Sequence, residues 1–322
     1  MNVLITGGAG FIGSHLVERH LAAGDRVSVI DNLSTGSITN IRHLESNPNF
    51  TCIIDDIMDA DAVRDAMRDC DLVYHLAAAV GVEFIIENPL KALTTNIRGT
   101  EVVLEVANEF KKRLVLASTS EIYGKKNGHV PFKEDSDRIL GPTTVLRWHY
   151  STSKAVDELF ALAYWREKRL PCTIVRPFNV IGPRQTGHYG MVVPRFVKQA
   201  VLGHPITVYG SGEQRRCWTY IDDALDGLMA LATSDKAVGE IFNLGSNFEM
   251  SIKDLAVKTR ELANSDSDIE FIPYEQAYKT KGAYEDLVYR APDLEKISRL
   301  VGYDPKVTLE EALGRIIEDY ER

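Results

Sequence analysis

Six short apolar runs punctuate the first 177 positions: Asn2–Thr6 (NVLIT), Arg26–Ile30 (RVSVI), Phe50–Ile54 (FTCII), Asp71–Leu76 (DLVYHL), Arg113–Ser118 (RLVLAS) and Cys172–Pro177 (CTIVRP). Their length and β-branched content predict strands. Between them, Ser14–Ala23, Asp61–Arg68, Leu90–Phe110 and Tyr150–Lys168 repeat apolar residues at three-to-four spacing, which predicts helices. Strand and helix alternating in this way predict parallel βαβ units in a doubly wound sheet.

The texture changes after Pro177. The stretch NVIGPRQTGHYGMVVPRF is rich in Gly, Pro and polar residues and predicts a long loop feeding a helix. Helical patterning returns at Ser251–Asn264, where Ser251 and Asp254 resemble a capping box, at Asp293–Val301 stopped by Gly302, and at Leu309–Tyr320. The expected organisation is a nucleotide-binding domain over 1–176, with a returning segment near 205–240, and a smaller mixed α/β lobe over 177–322 lying across the sheet's carboxyl edge.

Composition narrows the function classes. A chain of 322 residues, 44% apolar, can bury a large core. Its 37 basic and 46 acidic residues give a net charge of −9, which argues against broad contact with nucleic acid or an anionic membrane. Cys52, Cys70, Cys172 and Cys217 are scattered, so neither a disulfide framework nor a zinc site is expected, and the histidines lack metal-ligand spacing. The chain opens directly on a strand and holds no apolar run of membrane-spanning length, so a cytoplasmic protein is expected.

Two constellations carry chemistry. Gly7, Gly10 and Gly13 follow the first strand and open the first helix, where glycines permit a tight turn and close approach to a pyrophosphate. Asp31 ends the next strand, where an acid bonds a ribose 2′-hydroxyl and repels a 2′-phosphate, so NAD is expected rather than NADP. Asp55–Ile57 and His75–Ala78 end later strands and are expected near adenine and ribose.

The second constellation is Tyr150 with Lys154. Residues four apart on a helix share a face, with Cβ atoms about 5–6 Å apart. A phenol with a pKa of about 10 is a poor base at neutral pH, and an adjacent ammonium makes it a better one. Ser118, Thr119 and Ser120 stand at the end of the fifth strand, on the sheet edge where ligands bind.

Taken in order, TGGAGFIGSHL, VIDNLSTG, DDI, HLAA, NIRGT, STSEIYG, YSTSK, RPFNVIGPR, VYGSGEQRR and TYIDDALDG resemble the extended short-chain dehydrogenases/reductases acting on nucleotide sugars, across essentially the whole chain. That resemblance implies a Rossmann domain and a cofactor site of Gly7, Gly10, Phe11, Ile12, Gly13, Asp31, Asn32, Asp56, Ile57, Leu76, Ala77, Ala78, Asn96, Tyr150, Lys154 and Pro177. It implies catalysis at sugar C4 by Tyr150 and Lys154 with Thr119, Ser120 and Glu121. Substrate would be held by Arg147, Asn179, Arg184, Val193, Tyr209, Arg216, Asp286 and Arg290. A homodimer through a bundle of two helices per subunit, Leu90–Phe110 and Tyr150–Lys168, is implied as well.

The outcome after the 4-ketone stays open at this level. Arg147, Glu121 and the Asp286 to Arg290 segment resemble UDP-glucuronate decarboxylases, and this reading comes first. The loop Ala79–Leu90 is closer to UDP-hexose 4-epimerases, and the Ser-Thr-Ser-Glu order also occurs in 4,6-dehydratases. A non-catalytic NAD-binding sensor is the reading from a different class, since a fold alone does not fix activity.

Overall fold

A computed structural model describes residues 1–125, 128–187, 191–277 and 287–321. The first half winds as β1 (Asn2–Thr6), α1 (Phe11–Ala22), β2 (Arg26–Ile30), β3 (Phe50–Ile53), α2 (Ala60–Met67), β4 (Leu72–His75), α3 (Val82–Glu87), α4 (Pro89–Glu109), β5 (Arg113–Ala117), α5 (Arg147–Lys168) and β6 (Cys172–Pro177). The second half adds β7 (Val180–Ile181), α6 (Val192–Val201), β8 (Ile206–Tyr209), β9 (Arg215–Cys217), β10 (Thr219–Tyr220), α7 (Ile221–Thr233), β11 (Ile241–Leu244), β12 (Glu249–Ser251) and α8 (Ile252–Leu262). It closes with β13 (Ile269–Ile272), α9 (Tyr274–Ala277), β14 (Tyr289–Arg290), α10 (Glu295–Val301) and α11 (Leu309–Glu321).

Seven parallel strands form one sheet in the order β11-β6-β5-β4-β1-β2-β3. The order reverses between β1 and β4, and in such sheets ligands bind outside the carboxyl ends at that point. Val3, Leu4, Ile5, Val27, Val29, Val73, Tyr74, Leu114, Val115 and Leu116 are buried at 2% exposure or less, as parallel strands covered on both faces require. The expected α/β doubly wound sheet is therefore present.

Its seventh strand, β11, lies outside the six runs anticipated from the sequence. It continues β6 in parallel register from Ile241 opposite Ile174 to Leu244 opposite Pro177. The second half also forms three short sheets, β12-β9-β14, β10-β7 and β13-β8. Its helix α8 begins where the capping box was expected: Ser251 Oγ accepts from Asp254 N at 3.1 Å and donates to Asp254 Oδ2 at 2.6 Å.

Two helices start three residues earlier than their apolar pattern indicates. Helix α1 begins at Phe11 directly after Gly10, so the glycine turn itself becomes the helix entry. Helix α5 begins at Arg147, which places Arg147, Tyr150 and Lys154 on successive turns of one face. No helix among the described residues is long and apolar enough to cross a membrane.

Candidate active site

The turn after β1 is shaped by what a side chain there would strike. Gly7 has φ +73°, and a Cβ on it would lie 2.8 Å from Ala77 N; a Cβ on Gly13 would lie 2.2 Å from Gly7 O. The turn consequently packs against the exit of β4 and lets α1 approach with no side chain between. No side chain caps α1 and no acid sits in its first turn, so its forward-facing amides and dipole remain suited to a negative group.

Asp31 fixes this cradle. Its Oδ2 accepts from Ala9 N at 2.9 Å and its Oδ1 from Leu33 N at 2.8 Å, tying the glycine turn to the exit of β2. Burial raises the carboxyl pKa, an effect the two amides oppose. Asn32 donates to Asp56 Oδ2 at 2.8 Å, and Ile57 is buried beneath Gly99, where a Cβ would meet its side chain.

Phe11 and Ile12 are half-buried in the first turn of α1, and Leu76, Ala77 and Ala78 are half-buried after β4. Ala77 N donates to Thr6 Oγ1 at 3.1 Å. Asn96 on α4 accepts from Ala79 N at 2.7 Å and donates to Ser153 Oγ at 3.2 Å, pinning the β4 exit to α5. Pro177 closes β6 on the same edge. Loops from five parallel strands thus converge at the carboxyl edge, and a glycine cradle, an exposed helix start and a strand-end carboxylate together fit a dinucleotide. Gly13→Ala forces backbone against backbone, an overpacking strain of about 1–3 kcal/mol, so NAD binding is expected to weaken by roughly tenfold or more in calorimetric titration.

The second constellation sits beside the cradle. Thr119 and Ser120 are buried where β5 ends; Thr119 Oγ1 accepts from Glu121 N at 3.2 Å and starts a short 3₁₀ turn over Ser120–Tyr123. The Thr119 side chain lies beside the phenol of Tyr150. Burial raises the Tyr150 pKa, the charges of Glu121 and Asp157 add to that, and the Thr119 hydroxyl and Arg290 work against it. Lys154 is 2% exposed, and its ammonium lies 2.8 Å from Asp157 Oδ2.

Next to Tyr150 the structure joins residues far apart in the chain. Glu121 Oε1 accepts from Arg290 Nη1 at 3.0 Å and lies 3.5 Å from Arg147 Nη2, while Arg290 Nη2 donates to Asn179 Oδ1 at 2.5 Å. Arg290 reaches this point because β14 pairs with β9, setting Arg290 opposite Arg216. These residues, with Val193 and Tyr209, line a cleft of about 180 Å³.

Arg184 is placed elsewhere. Its guanidinium bonds Ser14 Oγ at 3.2 Å and Glu18 Oε1 at 2.7 Å on α1, and it is not among the cleft-lining side chains. Asp286 lies outside the described residues. The cleft also uses side chains that sequence reasoning did not single out. The Arg195 guanidinium stacks 3.7 Å from the centre of the Tyr209 ring, and Gln214 bonds the Tyr274 hydroxyl. The only signal for Arg195 was its place in a helix opening after a Gly- and Pro-rich loop.

Fold and site together define a dinucleotide-binding α/β protein with a buried Tyr/Lys pair near an arginine-lined cleft. The chain belongs to the family described as GDP-mannose 4,6 dehydratase, which matches residues 4–316. It is 40% identical to the UDP-N-acetyl-alpha-D-glucosaminuronate decarboxylase of Bacillus cytotoxicus over 98% of this chain and 96% of that one. It is 37% identical to UDP-glucuronic acid decarboxylase 1 of Arabidopsis thaliana over 99% of this chain and 70% of that one. The structure of UDP-glucuronic acid 4-epimerase from Bacillus cereus, in complex with UDP-glucuronic acid and NAD, aligns with a TM-score of 0.89 at 31% identity, covering 100% of this chain and 99% of that one.

Proposed function

We propose that the chain is an NAD-dependent nucleotide-sugar decarboxylase acting on a UDP-linked uronic acid such as UDP-glucuronate. The observation that carries this is the cleft's charge: among the described residues, Arg147, Arg195, Arg216 and Arg290 face it against the single carboxylate Glu121. A nucleotide diphosphate and a sugar carboxylate are the anions such a cleft would balance, and the guanidinium fork can bond two oxygens of either at once. The names of the relatives at 40% and 37% identity support the same chemistry.

Bound NAD would accept hydride from sugar C4 and return it later. Tyr150 Oη would take the C4 hydroxyl proton, with the Thr119 hydroxyl holding the same oxygen and Ser120 beside it. Lys154 would hold the nicotinamide ribose and support the phenolate. Once C4 is a ketone, the C5 carboxylate belongs to a β-keto acid and loses carbon dioxide readily. Arg147 and Arg290 would orient that carboxylate, and the Glu121 carboxylate, held between them, would position the solvent water that delivers the proton C5 then requires.

A second reading is C4 inversion, favoured by the close structural match to a UDP-glucuronic acid 4-epimerase. Incubation with UDP-glucuronate and, separately, its 2-acetamido analogue in the presence of NAD, followed by product analysis, separates the two. Release of carbon dioxide with a UDP-pentose is the expected result. A 4-epimer that keeps its carboxylate assigns the chain to inversion, and dehydration of UDP-glucose or GDP-mannose alone refutes both.

A further inference from the structure

A fully buried carboxylate stands behind the reactive pair without being needed by the steps above. Asp157 is 0% exposed, one helical turn beyond Lys154, and its Oδ2 lies 2.8 Å from the lysine Nζ. We propose that Asp157 is a positioning residue, the counter-ion that fixes the Lys154 ammonium and thereby governs both the grip on the cofactor and the pH at which Tyr150 works. The proposal rests on the assignment of Tyr150 and Lys154 to the reaction.

An ammonium has three protons and no acceptor. The contact with Asp157 is a charge pairing at 2.8 Å, so it limits where the Lys154 ammonium sits while leaving its protons for the cofactor ribose and its surroundings. Burying an unpaired ammonium is costly, whereas a close carboxylate offsets much of that cost.

The groups around Asp157 form a chain that leads back to the glycine cradle. His75 on β4 is bonded at Nδ1 to Thr6 Oγ1 (2.8 Å) and at Nε2 to Thr100 Oγ1 on α4 (3.0 Å). Burial and the charge of Lys154 push the His75 ring down to about 3, so it is neutral near neutral pH. One proton order satisfies the chain as far as Thr100: Ala77 N donates to Thr6, Thr6 to His75 Nδ1, and His75 Nε2 to Thr100, whose hydroxyl acts on the Asp157 carboxylate. Burial raises the Asp157 pKa, the Lys154 charge and the Thr100 hydroxyl lower it, and Glu158 raises it.

Tyr150 is faced by Glu121 and Thr119 from the β5 exit, by Arg290 from β14 and by Asp157 from its own helix. Removing the Asp157 charge while leaving Lys154 ionised makes the field at the phenol more positive and favours phenolate.

The test is Asp157→Asn in the full-length chain. Expected results are a downward shift of about one pH unit in the acid limb of kcat/KM and weaker NAD binding by titration calorimetry, with the phenolate absorbance that Tyr150→Phe abolishes appearing at correspondingly lower pH. A lowered melting temperature with the acid limb and NAD affinity both unmoved means a structural role only, and overturns the proposal. Should Asp157→Asn not fold, Asp157→Glu decides. Displacing the carboxylate by one methylene is expected to weaken NAD binding, and unchanged affinity refutes the positioning role. If no uronate is turned over at all, the functional reading fails by itself, while NAD affinity and phenolate absorbance still decide the role of Asp157.

Discussion

Tyr150→Phe is expected to lower turnover of the nucleotide sugar by about 10²–10⁴-fold, the range ordinarily lost with a positioned acid–base group, while NAD affinity and melting temperature stay close to those of the parent. The ring keeps its packing against Ala79, Ile85 and Ala92, so the loss falls on one hydroxyl. In the resting chain burial and two carboxylates hold that hydroxyl protonated. A group whose pKa is raised gives up its proton only as pH climbs, so the parent's kcat/KM should rise from the acid side, with the Lys154 ammonium and bound oxidised nicotinamide bringing that limb toward neutrality. Stopped-time assays across a pH series check both parts. A phenylalanine variant retaining more than about one tenth of the parental rate, with the same pH limb, removes Tyr150 from the proton transfer.

The sheet was legible wherever an apolar run had the length of a strand and clear borders. β1, β2 and β6 fall on the residues their patterns indicate. β11 escaped because Ile-Phe-Asn-Leu is short and carries a polar residue; Asn243 is buried only because it bonds the Phe132 carbonyl and Tyr123 across more than a hundred residues. Starts of α1 and α5 were misjudged for one physical reason. Neither helix has a side-chain cap, so the usual Ser, Thr or Asp signal is missing.

Local spacing revealed the Tyr150 and Lys154 pair, but burial, which decides their chemistry, is set by elements packed from elsewhere. Glu121 and Arg290 are 169 positions apart, and only the pairing of β14 with β9 brings them together. Arg184 shows the converse. Its sequence surroundings suggest substrate binding, yet the backbone at φ +66° turns it to Ser14 and Glu18 on α1.

Arg176→Met is expected to destabilise the chain by about 3–5 kcal/mol, because it strands a buried carboxylate. Arg176 is 5% exposed on β6 and Glu158 4% exposed on α5; Arg176 donates from Nε and Nη2 to the two Glu158 oxygens at 2.8 and 2.7 Å. Burial alone would lower the guanidinium's pKa, but the Glu158 carboxylate and the Tyr123 oxygen raise it. The pair also organises the floor of the active site. Ser118 donates to Glu158 at 2.5 Å and Tyr123 accepts from Arg176 at 2.8 Å, which brackets Thr119, Ser120 and Glu121 between two anchored neighbours. Thermal unfolding should therefore shift by roughly 5–15 °C, and turnover measured well below that transition should also fall, since Tyr123 loses Arg176 and Ser118 is left on a stranded carboxylate. The apolar double variant Arg176→Met with Glu158→Leu separates the effects. Removing both charges avoids the stranded carboxylate and should recover most of the melting temperature, yet activity should remain low because Ser118 has lost Glu158 and Tyr123 keeps only its bond to Asn243. Recovery of stability and activity together would show that the network only fills space, and that the loop over Ser118–Tyr123 holds its shape without it.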